Sequence, residues 1–359
     1  MKLSQVIDEL VEERGMDRAL LGKIICEGME AAYAKRYPEL PITVSHNKKT
    51  DELDIEIKKK VVATVHDEDL EISLRKARNI KENAQLDEEV AVRFEEPIGR
   101  IEILKAKQII AAKIRDIEAS AVYDEFVGKK GSVVLGTIHK CERAGVSVKI
   151  GEVSAFLPKS RSIPTDKCIV GYTIRAVLLD VLREPKNENQ LILDRTSTEF
   201  VQRLFELEIP EVFEKLVEIK KIVRTAGYKT KVAVISHDKN IDPVGTCIGV
   251  GGVRIKPILK ELGSEKIDVL VWTSSKEELV ARCLKPAIVN RVEVANNTAQ
   301  VWLDDEQRSI AIGKMGQNIA LASQLAEVAI TLMPSGASSE GQLQSMQKEA
   351  ELDIELQDE

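Results

Sequence analysis

The chain has 359 residues, 43% hydrophobic, 31% charged and only 4% aromatic, with a formal net charge of −7. That length suits two to four domains of about 100–200 residues, and the composition is that of a folded protein rather than a disordered one. No apolar run approaches the ~18–20 residues of a membrane span, and the N-terminal stretch lacks a secretory leader's apolar core, so a cytoplasmic location with no membrane partner is expected.

The acidic balance is at first sight wrong for a nucleic-acid binder. From Ser335 onward, however, there are seven acidic residues and one basic, which leaves residues 1–334 at a net −1. Local patches must therefore decide. Cys26, Cys141, Cys168, Cys247 and Cys283 are odd in number, scattered and never in a CxxC, which predicts free thiols and no zinc site. The four histidines are equally dispersed. No cofactor or metal is expected.

Leu3, Val6, Ile7, Leu10 and Val11 recur at helical spacing up to Gly15. Asp17 is placed to cap a second helix running to about Arg36, closed by Pro38 and Pro41. Alternation then predicts strands at 42–44, 53–57 and through Val61, Val62 and Val65, with a turn at 47–50. A helix from about Ile103 to Phe126 follows, with Ile109, Ile110, Ile114 and Ile117 on one face and charge on the other.

Between Gly131 and Arg195 the pattern changes to five short strands: 133–139, 146–150, 153–157, 173–181 and 191–194. The turns are 143–145, 151–152 and 183–189, with one longer connection at 158–170. This is the pattern of a five-stranded OB-fold barrel. His139, Lys149, Phe156, Lys159 and Arg161 are its candidate RNA-face residues, although Phe156 fits the barrel core equally well.

The last third repeats itself. An Ile-Gly-x-x-Gly occurs at Gly249 and again at Gly313, 64 residues later. In each copy two strands and a short helix precede the glycines, and a helix and a strand follow. A bare GXXG is weak, since about one is expected by chance from this glycine content, and the chain has three. Gly128-Lys129-Lys130-Gly131 has no helix after it and reads as a solvated turn. Gly249-Val250-Gly251-Gly252 and Gly313-Lys314-Met315-Gly316 each join two helices. There the missing Cβ atoms let a sugar-phosphate backbone approach main-chain amides at a helix N-terminus, beside a groove for about four unpaired nucleotides. Lys314, Gln317 and Asn318 add polar groups at the second loop. At the uncharged first loop, Arg254 and Lys256 must supply the charge.

Ile241–Gly249 with Glu261–Asp268, Ala311–Ile319 with Leu321–Leu325, and Asp194-Arg195-Thr196 with Phe205–Val212 together resemble the NusA family of bacterial transcription termination and antitermination factors, over nearly the whole chain. The resemblance implies a multi-domain α+β protein. It would comprise an N-terminal α/β domain that docks on RNA polymerase (1–127), an OB-fold barrel (128–197), two tandem type II KH domains (198–275 and 276–334) and an acidic flexible tail (335–359). It implies no enzymatic activity. The partners it implies are RNA polymerase, nascent single-stranded RNA and other elongation or antitermination factors. Two departures stand out. The first KH loop lacks the family's arginine, and Val146 occupies a barrel position where RNA-binding relatives often carry an aromatic. An enzyme is disfavoured by the absence of GxxxxGK[ST], HExxH and GxSxG. A general single-stranded RNA adaptor not tied to RNA polymerase is the alternative.

Overall fold

A computed structural model describes residues 11–12, 17–47, 50, 52–94 and 99–334. The first predicted helix and the acidic tail lie outside the described residues, apart from Val11 and Glu12. Two compact units divide at Ala121/Val122. Among the described residues, no helix is long and apolar enough to cross a membrane.

In the first unit, helix α1 spans Arg18–Arg36. The Asp17 carboxylate accepts from the amides of Ala19 and Leu20, which occupies donors that the first helical turn leaves open. Leu21, Ile24 and Ile25 of α1 pack with Ile110, Ile114 and Ile117. The latter three lie on α3 (Arg100–Val127), slightly longer than expected. The sheet comprises β1 (Ile42–Asn47), β2 (Glu52–Val62), β3 (Glu71–Ser73) and β4 (Glu89–Arg93), with β2 central. The stretches expected as separate strands at 53–57 and 61–65 are one strand that ends at Val62. Sequence alternation missed β3, β4 and the helix between them, α2 (Leu74–Ile80), because three- to seven-residue elements are too short to show a period.

The second unit opens with a closed barrel. Strands β5 (Val133–Cys141), β6 (Gly145–Ile150), β7 (Val153–Pro158), β8 (Thr173–Lys186) and β9 (Asn189–Asp194) close in the order β5-β6-β7-β9-β8. Only the β7–β9 pair is parallel. Period-two alternation turns Val148, Ala155, Leu157, Leu178, Leu191 and Leu193 into one core. The connection expected at 183–189 is mostly strand. It narrows to Asn187-Glu188, both at positive φ, as a two-residue hairpin requires.

One expectation is corrected here: Cys141 and Cys168 are joined in a disulfide. Their separation of 27 residues gave no hint, because only barrel closure brings the end of β5 beside the long β7–β8 connection.

Two α-β-β-α-α-β units follow. The first is α4 (Thr198–Glu208) with the short α5 (Pro210–Phe213), β10 (Val217–Thr225), β11 (Lys229–Ser236), α6 (Pro243–Ile248), α7 (Ile255–Leu262) and β12 (Lys266–Val271). The second is α8 (Lys276–Cys283), β13 (Arg291–Ala295), β14 (Thr298–Leu303), α9 (Asp305–Ile312), α10 (Gln317–Ala326) and β15 (Ala329–Pro334). In both, the first two strands are antiparallel and the second and third parallel.

The central sheet of the first unit is buried on both faces. Val232 and Val234 face its own helices, while Ala233 joins Val223 and Leu270 against Leu279, Val280, Leu321 and Leu325 of the second unit. The two repeats therefore share a core. The barrel is locked to the first repeat by polar contacts. Arg195, 3% exposed, donates to Asp166 of the β7–β8 connection and to Glu261 of α7. Its guanidinium also lies 5.0 Å from the Phe200 ring.

Candidate single-stranded nucleic-acid interface

The two glycine loops have the same backbone. Gly249, Gly251 and Gly252 have φ of 72°, 64° and 78°, and Gly313, Met315 and Gly316 have φ of 72°, 54° and 72°. At the first position of each loop glycine is required twice over, by φ and by space. A Cβ on Gly313 would lie 2.8 Å from Asn318 Cβ, and one on Gly249 would lie 3.0 Å from Arg254 Cγ. Met315 holds the left-handed conformation that Gly251 holds in the other loop, at a cost of about 1–2 kcal/mol for a residue with a side chain.

Within each loop one amide is closed internally, from Gly252 to the Gly249 carbonyl and from Gly316 to the Gly313 carbonyl. Among the described residues, the amides of Val250, Gly251, Lys314 and Met315 find no acceptor. Val250 is 95% exposed and Met315 84%. Each loop thus offers two consecutive free N–H groups in front of a helix, an arrangement suited to a phosphate oxygen.

The side chains proposed around these loops divide into two groups. Lys314 and Lys256 are exposed and free to meet a phosphate. Arg254 is committed instead: its guanidinium makes a bidentate pair with Glu211 at 2.9 Å and donates to the Thr246 carbonyl at 3.0 Å. Asn318 is buried. Its amide donates to the carbonyls of Leu284 and Ala311, and its oxygen accepts from Lys229. Gln317 accepts from Thr225. Arg254 and Asn318 have their donors committed to the protein and hold the loops in place, so a positioning role replaces the expectation that they donate to RNA. Gln317, in contrast, uses only its oxygen here and keeps its amide donors beside the second loop. Sequence could not show this, because their partners lie up to 92 residues away.

The turn between β10 and β11 lies next to the second loop. There Tyr228 donates its hydroxyl proton to the Lys314 carbonyl at 3.2 Å, and Lys229 reaches Asn318. The same turn abuts the barrel, since a Cβ on Gly227 would sit 3.1 Å from Pro164.

On the barrel, His139 and Lys149 line an open groove of about 530 Å³ together with Lys140, Ser147, Ser154 and Asn189, and the carboxylates of Glu142 and Glu188 line it as well. Phe156 is not core. Ala155 and Leu157 point inward, so Phe156 points outward, paired across the strands with Ser147, and its ring edge fills the space a side chain at Gly145 would need. Val146 is half-buried and packs against the barrel core. Lys159 is exposed, while Arg161 leans on the buried carboxylate of Asp194 at 3.3 Å. Replacing Phe156 by alanine is expected to weaken single-stranded RNA binding by about 1–3 kcal/mol without unfolding the barrel. Fluorescence anisotropy and a thermal melt on the same sample check both halves.

Two α-β-β-α-α-β units with matching glycine loops, behind a closed five-stranded barrel, define a tandem KH-domain protein with an OB-type barrel. Family models agree: residues 2–120 match the NusA N-terminal domain, 195–272 the NusA-like first KH domain and 276–340 the NusA-like second KH domain. Proteins named transcription termination/antitermination protein NusA are similar along most of their length. That of Halalkalibacterium halodurans is 32% identical over 88% of this chain and 84% of its own. For Bacillus subtilis the figures are 31%, 90% and 88%, and for Thermus thermophilus 33%, 89% and 87%. The chain belongs to the NusA family.

Proposed function

We propose that this protein is a transcription elongation factor. Its N-terminal domain binds RNA polymerase, and its barrel and two KH domains hold the emerging single-stranded transcript, so that it modulates pausing, termination and antitermination. The working boundaries are 1–127 for polymerase docking, 128–197 for the barrel, and 198–275 and 276–334 for the KH domains. The two KH domains carry the RNA-binding part of this reading. The observation that carries it is the pair of identical glycine turns, each presenting two unpaired amides ahead of a helix. Gly249, Val250, Gly251, Gly252 and Lys256 form one cradle, and Gly313, Lys314, Met315 and Gly316 the other. Arg254 and Asn318 hold these loops from behind, and Gln317 offers its amide donors beside the second cradle.

The contacts to RNA come mostly from backbone, aliphatic and basic groups, which suits a chain with 4% aromatic residues. A protein of this kind stabilises a paused complex by binding, with no chemical step of its own. Membership of the family supports the polymerase role over that of a general RNA adaptor. A pull-down with core RNA polymerase separates the two. The full chain is expected to be retained, and a chain beginning near Gly131 to be lost or much weakened. Equal retention of both would assign polymerase binding elsewhere and leave the adaptor reading in its place.

A further inference from the structure

We propose that Cys141 and Cys168 form a reversible dithiol–disulfide site that sets how firmly the barrel holds single-stranded RNA. This inference rests on the reading of the barrel as an RNA-binding module.

The argument begins with strand pairing. β5 pairs with β8 only from Val133 to Thr137, but its pairing with β6 continues to Cys141. Past Thr137 the strand therefore has a ladder on one side only. On the other side, Ile138 exchanges hydrogen bonds with Gly171 and Tyr172 of the β7–β8 connection at 2.8 and 2.9 Å. After that the tie is the Cys141–Cys168 bond, with the Cα atoms 6.1 Å apart. This half-supported end of β5 carries His139 and Lys140, and Glu142 follows it. All three line the barrel groove.

The connection itself has two halves. The first is fixed, with Ile163 buried in the core of the first KH domain and Asp166 bound to Arg195. The second half, residues 167–172, is exposed throughout and holds Cys168. The disulfide thus joins an exposed segment to the free edge of the strand that carries groove residues. Opening it leaves that edge with the Ile138 hydrogen bonds alone.

The other cysteines do not compete. Cys247 and Cys283 are fully buried, and burial pushes both thiols up to about 12, so they stay protonated and unreactive. Cys26 lies in the other unit, with its thiol pushed up by partial burial and by Glu30 and Glu27. Cys141 and Cys168 are both exposed.

The exchange needs a low-molecular-weight disulfide of the glutathione class. One cysteine thiolate attacks it, forming a mixed disulfide and releasing one thiolate. The second cysteine then attacks the protein-bound sulfur, closing the bridge and releasing the other. Two electrons pass from the protein to the reagent, and the two protons leave with the two small thiols. A dithiol that closes only under oxidising conditions is the usual form of a redox-sensing pair.

The experiment equilibrates the full chain with mixtures of reduced and oxidised glutathione. It maps the bridged peptide by mass spectrometry and measures binding of a fluorescein-labelled single-stranded oligouridine in each state. The expected result is selective Cys141–Cys168 bridging, with affinity about threefold to tenfold higher in the oxidised form because the groove is ordered beforehand. The C141S/C168S variant should bind like the reduced protein in both buffers. Failure of the bridge to form, or formation with no change in affinity while RNA still binds, overturns the proposal and leaves the KH reading standing. Absence of RNA binding in every state removes the functional reading, and with it the coupling.

Discussion

Replacing Arg224 by alanine is expected to lower the unfolding free energy of the barrel–KH unit by about 3–5 kcal/mol. Arg224 and Glu265 are among the least exposed ionised groups in the protein, with side chains 1% and 0% exposed. The guanidinium grips both carboxylate oxygens at 2.8 and 2.9 Å and donates to the carbonyls of Arg195 and Ser197 at 2.7 Å. Glu265 also accepts from the Gly227 amide and the Thr230 hydroxyl. These contacts connect the end of the barrel, the first KH sheet and the turn that leads to the second glycine loop. Alanine leaves a carboxylate in a dry site without its counterion, and the cost of an unpaired buried charge exceeds the net worth of the pair. Hydrophobic replacement of both partners, R224M/E265L, should recover part of the loss. Urea denaturation of the three proteins checks this; an R224A midpoint equal to that of the parent would show the network contributes nothing.

The second large effect is on binding. Lys314→Asp with Met315→Asp is expected to weaken single-stranded RNA binding by about tenfold to a hundredfold, the loss of one charge-assisted phosphate contact being worth about 1.5–3 kcal/mol. Both side chains are exposed, so the fold and polymerase binding should be unchanged. Gly313 is left intact because its φ and its closeness to Asn318 would make any replacement a folding variant. Val250→Asp should cost less, since the first loop has no lysine to invert. Affinity should fall with salt at a log–log slope of about 0.7 per phosphate neutralised, with a shallower slope for the Lys314 variant. Equal affinities and slopes in gel-shift titrations would contradict the cradle.

Local chemistry was well expressed in the sequence. Asp17 with Pro38 and Pro41 set the limits of α1. Alternation located all five barrel strands, and the 64-residue duplication revealed both KH domains. Three kinds of feature were hidden. Short elements such as β3, α2 and α5 lack a measurable period. The leading helices α4 and α8 fall before the first strand of each repeat, where the glycine loops gave no guide. Long-range pairings stayed invisible: Arg254 with Glu211, Asn318 with Lys229, and Cys141 with Cys168 are decided by packing. The direction of a strand residue also depends on register, which is why Val146 packs against the barrel core and Phe156 points outward.

The central claim is that main-chain amides at the two glycine turns receive the RNA backbone, and an amide-resolved NMR titration with single-stranded oligouridine tests it most directly. The resonances of Val250, Gly251, Lys314 and Met315 should move together, and further than those of the Gly128–Gly131 turn. Saturable binding that leaves those four signals in place would contradict the account.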